Sequence, residues 1–272
     1  MYIRENTLLA QTLNGMRFSM GVNAHAWVDK TWHANGLQVP FNRLYVVEEG
    51  WGQLWTQQQT VRMEPGFAYL IPAGCPCSYC CPERMRKIFF HFNLFRKDRY
   101  DLLWNSNQIG VLPISENMDL YKRYLGETLE DALAIQGLIL QLVAAYLRSN
   151  GEIRLGDTVC SPCVESTIAY IHENLSAKLR LDALAQRVFL SRSSLSAQFR
   201  KETGVTLGKY IDEQLMMEAQ RRLCTSNDSI GIISRDLGFC DQFYFSRRFT
   251  QLCGITPQKY RKEQQLALPE GR

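Results

Sequence analysis

An internal repeat near the C-terminal end constrains this chain most strongly, because one pattern of residues returns after fifty positions. Leu195, Phe199, Gly204, Thr206 and Tyr210 are followed at this offset by Phe245, Phe249, Gly254, Thr256 and Tyr260. Before Leu195 the offset drops to 49, which indicates one extra residue in the turn of the second copy. A repeat of this length predicts a duplicated supersecondary unit.

Each copy has the spacing of two helices joined by a tight turn. In the first copy we predict helices over residues 181–188 and 192–202, with Ser191 capping the second helix. In the second copy Gly238 and Phe239 form the predicted turn, and Asp241 takes the capping position. A connecting helix over residues 207–223 would be roughly 25 Å long, which is comparable with the spacing of about 34 Å between successive major-groove faces.

The first half has the pattern of a β-rich domain. Short strands are predicted at residues 43–47, 53–55, 61–63, 67–71 and 87–92. Glycine and proline pairs such as Pro65-Gly66 separate them, which favours a sandwich or barrel. Helical periodicity follows at residues 119–125 and 129–147, and Asn150-Gly151 is a good helix end. A linker is expected over residues 152–160 before a helix that starts at Ser161-Pro162.

These motifs resemble the AraC/XylS family of bacterial transcription regulators. The strong likeness covers residues 162–262, through the segments 184–185, 191–196, 199–204, 238–249 and 254–261. A weaker likeness to the family's ligand-binding domain covers residues 15–95. The resemblance implies an α+β multidomain chain: an N-terminal cupin-like β-barrel (a double-stranded β-helix), linker helices, and an all-α C-terminal domain with two helix-turn-helix units. The expected boundaries are 1–112, 113–157 and 158–265, followed by a flexible tail at 266–272.

The polar faces of the repeat supply the candidate DNA contacts. The resemblance, together with a helical projection at 100° per residue, places seven residues at base-reading positions: Ser193, Ser196, Ala197, Gln242, Phe243, Ser246 and Arg247. The expected phosphate-contacting residues are Arg192, Arg200, Lys201, Arg248 and Thr250. A purely structural repeat is the competing interpretation, but such a repeat has no need for polar faces opposite its core.

The two copies differ in what their candidate side chains can read. Arg247 can bond guanine in bidentate fashion, Gln242 can pair with adenine, and Phe243 can pack on a thymine methyl. The side chains of the first copy are short. We therefore predict that the first copy mainly positions the protein through phosphate contacts, whereas the second reads bases.

The expected role of the front half is to bind a small-molecule effector, with Arg43, Tyr45 and His91 as pocket candidates. A carbohydrate is one candidate effector, because five tryptophans precede the helices and aromatic faces suit sugars; barrel packing explains these residues equally well. The histidines are single and widely spaced, so neither a metal nor another cofactor is expected. No catalytic constellation is present, and the chain is predicted not to be an enzyme.

Four cysteines within seven residues, Cys75, Cys77, Cys80 and Cys81, leave an alternative open. They could form a redox or soft-metal sensor, or they could be small buried hydrophobes. A further alternative is a ligand-independent regulator whose barrel only dimerises. The resemblance also implies homodimerisation through the helices of residues 119–147, and the competing interpretation is that these helices only cover the barrel.

Charge and composition complete the expectations. The net charge is +4: residues 158–272 carry 16 basic and 12 acidic side chains, whereas residues 1–157 carry 15 of each. This excess is small, so phosphate contacts must come from placed residues and helix N-termini. No apolar run reaches the roughly 18 residues of a membrane span, and no signal-peptide pattern opens the chain. We therefore expect a cytoplasmic protein without a membrane partner. The family resemblance further implies that the protein activates transcription, with RNA polymerase as a partner.

Overall fold

The computed structural model describes residues 5–104, 106–114, 123–151 and 160–267. In this part of the chain two compact units are formed. The β unit comprises the described residues of 17–94 and 101–151, and the helical unit comprises 5–16, 95–100 and 160–267. Residues 119–122 of the helix predicted at 119–125, most of the expected linker and the end of the expected tail lie outside the described residues.

The β unit consists of two sheets and one long helix. Its strands are β1 Arg17–Asp29, β2 His33–Leu37, β3 Asn42–Gly50, β4 Gly52–Trp55, β5 Thr60–Met63, β6 Phe67–Ile71, β7 Cys77–Cys80, β8 Arg84–Phe95 and β9 Gly110–Pro113. One sheet has the order β1-β8-β3-β6-β9, and the other has the order β2-β7-β4-β5. This two-sheet architecture confirms the predicted β-rich fold of the front half.

Strand β3 lies at the centre of the five-stranded sheet. It pairs antiparallel with β6 on one side and β8 on the other, so that Tyr45 faces Tyr69 and Phe89 across the two ladders. All residues from Asn42 to Val47 are buried, because a central strand covered on both faces has no solvent side. This explains why the first half showed its clearest strand signal here.

The five strands predicted from short apolar runs are confirmed, but four others were missed. β1 and β2 carry few buried apolar residues, and β7 is made of cysteine, serine and tyrosine. β9 contains a glycine and a proline within four residues. The local sequence of these four strands gives only a weak strand signal, and their pairing with neighbouring strands defines them.

Helix α2, Leu129–Asn150, follows the sheets, and its bounds agree with the prediction. Thr128 caps its start, and Gly151 ends it with a φ of 110°. The ring of Tyr146 packs so closely on Gly110 that a Cβ there would lie 2.6 Å from the ring. Among the described residues α2 is long and apolar enough to cross a membrane by length and composition alone, a test that core helices of soluble proteins also pass.

The helical unit begins with α1, Thr7–Gly15. Its other helices are α3 Pro162–Glu173, α4 Leu181–Arg187, α5 Arg192–Thr203, α6 Leu207–Thr225, α7 Ile230–Asp236, α8 Gln242–Cys253 and α9 Pro257–Ala267. Ser161 caps α3 through its side-chain oxygen, with proline at the first helical position as predicted. Residues 95–100 belong to this unit because the carbonyl of Asp98 accepts a hydrogen bond from Tyr210 at 2.7 Å, and Lys97 pairs with Glu165.

Candidate nucleic-acid interface

The fifty-residue repeat folds as two helix-turn-helix pairs, α4–α5 and α7–α8. Ser191 accepts a hydrogen bond from the Ser194 N–H at 3.1 Å and so caps α5. Asp241 caps α8 in the same way, at 2.7 Å from the Tyr244 N–H. Both predicted caps are confirmed, and each satisfies an N–H group that a helix start leaves free.

The ends of the two repeats are also equivalent. Gly204 ends α5 with a φ of 77°, and Gly254 ends α8 with a φ of 78°. This left-handed conformation costs glycine little, which explains why glycine occurs at both positions. Thr206 and Thr256 then cap α6 and α9 at 3.3 Å each. The paired Gly-x-Thr motifs therefore end one helix and begin the next.

Matching apolar side chains hold each pair together. Leu195 and Phe199 of α5, and Phe245 and Phe249 of α8, are fully buried. The Phe199 ring meets Tyr210 edge-on at 5.2 Å, and the Phe249 ring meets Tyr260 edge-on at 5.5 Å. Four-residue spacing places each buried pair on one helix face, so the opposite face of each helix remains available for contacts.

The exposed face of α5 is short and polar. Ser193, Ala197, Arg200 and Lys201 are exposed, and Ser196 is half-buried. The Ser193 hydroxyl lies 2.9 Å from the hydroxyl of the cap residue Ser191. A base contact by Ser193 would therefore compete with this local hydrogen bond. Arg200 is exposed and forms no ion pair among the described residues.

The exposed face of α8 carries larger groups. Gln242 and Arg247 are exposed, Ser246 is half-buried, and the Phe243 ring is 81% exposed. No ion pair or hydrogen bond holds the Arg247 guanidinium within the part of the chain that the structure describes. A free guanidinium next to an exposed ring can make both of the direct contacts that major-groove reading uses, hydrogen bonding and methyl packing.

The other predicted phosphate-contacting residues are not equally free. Arg248 forms an ion pair with Asp212 of α6 at 2.5 Å and also donates to Gln251. Arg192 lies 3.7 Å from Asp182, and both side chains are exposed. The Thr250 hydroxyl donates to the carbonyl of Ser246 at 2.8 Å. Sequence spacing alone could not show all of these partners, because two of the four, Asp212 and Asp182, lie on other helices.

In the β unit, strand pairing brings the three predicted pocket residues together. Arg43 lies directly opposite His91 in the β3–β8 ladder, and Tyr45 is two residues further along β3. All three are buried. Burial lowers the pKa of His91 to about 3, helped by the nearby Arg43 and Lys87 charges, so this imidazole is neutral near pH 7.

Sequence reasoning missed Lys87, which lies on the same strand as His91 and is also buried. The only available signal was the two-residue period of a β-strand, which places residues 87, 89 and 91 on the same face of β8. A lysine at the start of a strand is ordinarily taken as solvent-facing, because lysine is almost never fully buried without a partner. The burial of Lys87 depends on side chains outside β8 that cover it, and the sequence of β8 alone does not show them.

The clustered cysteines are buried thiols. Cys75, Cys77 and Cys81 are buried and Cys80 is half-buried, and none of the four forms a disulfide. Burial raises the pKa of Cys75 to about 11 and also raises the pKa of Cys77. A raised pKa disfavours the thiolate that oxidation and metal binding require. Over the described residues, no three histidine, cysteine or acidic side chains lie together as a metal site would need.

Sequence identity to known proteins is highest over the part of the chain that contains the helical unit. A family model described as a helix-turn-helix domain matches residues 184–263. MarA of Escherichia coli (strain K12), the multiple antibiotic resistance protein, is 34% identical over 98 residues, which are 36% of this chain and 77% of MarA. The regulatory protein PocR of Salmonella typhimurium is 36% identical over 108 residues, 40% of this chain but only 36% of PocR.

Solved structures of ToxT extend the likeness of fold to nearly the whole chain. ToxT of Vibrio cholerae O395, in a structure described as bound to (E)-4-(8-methylnaphthalen-1-yl)but-3-enoic acid, has a TM-score of 0.55. The alignment covers 91% of this chain and 99% of that one at 11% sequence identity. At this identity the likeness concerns the fold alone.

Proposed function

This chain belongs to the AraC/XylS family of DNA-binding transcription regulators, and we propose that its two helix-turn-helix pairs occupy two adjacent major-groove segments of double-stranded DNA. The supporting observation is the equivalence of α4–α5 and α7–α8: each second helix begins at a side-chain cap, buries two apolar residues four positions apart and ends at a left-handed glycine. Helix α6 is 19 residues long, which corresponds to roughly 28 Å. This length suits two groove faces on one side of the duplex.

In this proposal α8 reads bases and α5 mainly positions the protein. Arg247, Gln242, Phe243 and Ser246 are the reading residues of α8, and Ser193, Ser196 and Ala197 add short contacts from α5. Arg192, Arg200, Lys201, Arg248 and Thr250 contact phosphates. Arg200 and Lys201 are exposed. Arg248 is paired with Asp212, so it can contact a phosphate only if it leaves or shares that carboxylate.

The test is selection of bound DNA from a random pool with the full chain, followed by footprinting of the enriched sequence. The expected result is an enriched site in which two segments about one helical turn apart, roughly 10 base pairs, are protected. Enrichment of one segment only, or of none, contradicts the two-segment proposal. A variant with alanine at Arg247 serves as the control for base-dependent enrichment.

We further propose that a small molecule bound inside the β unit controls DNA binding, with Arg43, Tyr45 and His91 in its pocket. The burial of these three polar residues on one sheet face supports this role. The ToxT structure, which shares this fold, holds a small molecule. A carbohydrate stays a candidate effector, and activation of transcription through contact with RNA polymerase stays the expected mode. Since the target is DNA, the expected location is the cytoplasm.

Homodimerisation through α2 is part of the same proposal. Leu129, Leu133 and Leu140 are 76%, 58% and 36% exposed, and helical spacing places them on one face. A second copy of this chain would cover that face. Sedimentation of the Leu133→Lys variant should show monomers where the wild-type chain shows dimers; dimers in both would contradict this interface.

The alternative of a cysteine-based sensor is less well supported, because burial raises the pKa of three of the four clustered thiols. The alternative of a ligand-independent regulator predicts that no small molecule stabilises the protein. A thermal-shift screen with sugars and small metabolites separates that alternative from effector control.

A further inference from the structure

The interior of the β unit contains two buried cations on one sheet face. Arg43 and Tyr45 alternate along β3, and Lys87, Phe89 and His91 alternate along β8. The ladder sets Arg43 opposite His91 and Tyr45 opposite Phe89. Because side chains two residues apart in a strand share a face, all five project to the same side of the five-stranded sheet.

Aromatic rings from the other side enclose this face. Trp32 stacks on Tyr79 of β7 at 4.3 Å, and Trp32 also meets Tyr45 edge-on at 5.8 Å. The Lys87 ammonium lies 3.4 Å from the centre of the Trp32 ring and 4.1 Å from that of Tyr45. The two cations are therefore surrounded mainly by rings, with the Cys75 and Cys77 thiols also near Arg43.

Neither cation has an anionic partner among the residues that the structure describes. Arg43 is 2% exposed, its Nη2 donates a long hydrogen bond of 3.4 Å to the carbonyl of Leu37, and its guanidinium also interacts with the Tyr45 hydroxyl. Its Nε and Nη1 atoms are buried without an acceptor. Lys87 is also 2% exposed, and its contacts are the rings already described.

Two acidic side chains of the β unit that are largely shielded from solvent, Asp101 and Glu48, are engaged elsewhere. The buried carboxylate of Asp101 accepts hydrogen bonds from Asn42, Asn93 and the backbone of Leu94 and Leu103. Glu48 pairs with His25 and Arg86. A buried charge without a counter-ion is strongly unfavourable, and proteins ordinarily avoid it. Burial lowers the pKa of Lys87 well below its usual value, whereas the Arg43 guanidinium stays charged. An anion from solution would compensate Arg43 and favour the protonated form of Lys87.

We propose that the interior of the β unit binds the anion of a small carboxylic acid, with the carboxylate between Arg43 and Lys87 and the apolar body against the surrounding rings. This inference rests on the proposed function, in which the β unit holds the effector, and it specifies the effector's chemical class. A guanidinium matches a carboxylate because its N–H groups form a planar fork.

A carboxylate fits these surroundings better than the two other polar classes. A neutral sugar would leave both charges uncompensated, and it needs more hydrogen-bonding groups than the rings provide. A phosphate carries three strongly hydrated oxygens that would face the same rings. A cavity of about 140 Å³ on the same unit is lined by Thr56, Gln57, Gln58, Cys75, Pro76 and Asn107, and it does not include Arg43 or Lys87.

The first experiment measures thermal unfolding of the full chain with matched acids and amides. The probes are benzoate against benzamide, octanoate against octanamide, inorganic phosphate and glucose. At about 100 times its Kd a bound acid should raise Tm by roughly 5 °C or more, whereas its amide should not. Equal stabilisation by an acid and its amide, or stabilisation by neither acid, overturns the inference, as does stabilisation by phosphate or glucose alone.

The second experiment removes each cation. Arg43→Gln and Lys87→Met should each weaken binding of the stabilising acid by roughly 30-fold or more, because each leaves part of a buried charge pair without its partner. The control Arg62→Gln removes an exposed arginine of the same unit and should change the affinity less than about twofold. Unchanged affinity in both cation variants would contradict the proposal.

Lys87→Met also has an effect that does not depend on ligand. It keeps the side-chain volume and replaces a buried amine, whose pKa burial lowers, with an apolar group, so the free protein should unfold at a higher temperature than the wild type. A lower Tm would show that the Trp32 and Tyr45 rings stabilise the Lys87 ammonium well enough without an anion, which contradicts the proposal. The variant is therefore expected to fold even where Arg43→Gln does not.

The outcomes separate this inference from effector control itself. If an acid binds as described but leaves affinity for the selected DNA site unchanged, effector control fails and the carboxylate site stands. If a neutral sugar alone binds and changes DNA affinity, effector control stands and the carboxylate site fails.

Discussion

The two helix-turn-helix pairs have the same frame but present different surfaces. Each buries two apolar residues four positions apart, begins its second helix at a capped position and ends it at a left-handed glycine. Yet α5 presents serine and alanine where α8 presents glutamine, phenylalanine and arginine. Packing therefore fixes the positions that repeat, and the exposed positions are free to take different roles.

The turns differ as well. The turn before α5 places Phe189 at a φ of 55°, and the equivalent position in the second pair is Gly238, at a φ of 78°. The Phe189 ring is 95% exposed. A left-handed conformation costs a residue with a Cβ roughly 1–2 kcal/mol, so the first pair tolerates strain that the second avoids.

The largest expected effect tests the shared frame. Phe199→Ala and Phe249→Ala should each lower the free energy of unfolding by about 3–5 kcal/mol, because each removes a fully buried ring. Urea unfolding measures this loss. Phe243→Ala is the matched control, since its ring is exposed, and should change stability by less than about 0.5 kcal/mol. A small loss at either buried position would show that the two cores are not equivalent.

The second prediction separates the turns. Gly238→Ala should destabilise the protein by roughly 1–3 kcal/mol, because the new Cβ takes a strained conformation and would lie 2.0 Å from the Ser176 hydroxyl oxygen. Phe189→Gly should stabilise it by up to about 1 kcal/mol.

Phe189→Ala is the control for the second prediction, because it removes the ring but keeps the Cβ. Thermal unfolding of the three variants measures the difference. Stabilisation by Phe189→Ala equal to that by Phe189→Gly would assign the cost to the exposed ring and not to the backbone.

The third prediction concerns positioning. Arg200→Ala should weaken DNA binding by a similar factor at all sequences and lower the slope of log K against log salt by about 1. Titrations at several salt concentrations measure both quantities. Arg248→Ala should affect the salt slope less, because its guanidinium is already paired with Asp212. A sequence-dependent loss from Arg200→Ala would assign base reading to the first pair.

The smallest expected effects distinguish the caps. Ser191→Ala should cost about 0.5–1 kcal/mol at any pH. Hydrogen bonding to the Tyr244 N–H lowers the pKa of Asp241 below its usual value near 3.8. Its ionised form therefore stabilises the fold above that pH, and the contribution disappears as the pH falls through the lowered pKa. The Tm loss from Asp241→Ala should shrink in acid, whereas a loss independent of pH would show that charge has no part in this cap.

Much of this could be predicted from sequence. The helical unit combines strong local signals, such as capping residues, glycine ends and a four-residue apolar spacing, and these agreed with its packing. Strands β1 and β7 were not predictable, because β1 buries only Ala26 and Val28 and β7 is defined by its neighbours. The burial of Lys87 and the pairing of Arg248 with Asp212 depend on contacts between distant elements, which spacing does not encode.

Base discrimination by two variants tests the difference between the pairs most directly. Binding of the wild type, Arg247→Ala and Ser193→Ala is measured at the selected site and at sites with single base changes. Arg247→Ala should lose about 1–3 kcal/mol of discrimination at a guanine position, whereas Ser193→Ala should keep its discrimination within about twofold. Equal loss of discrimination from both variants would contradict the assignment of base reading to the second pair.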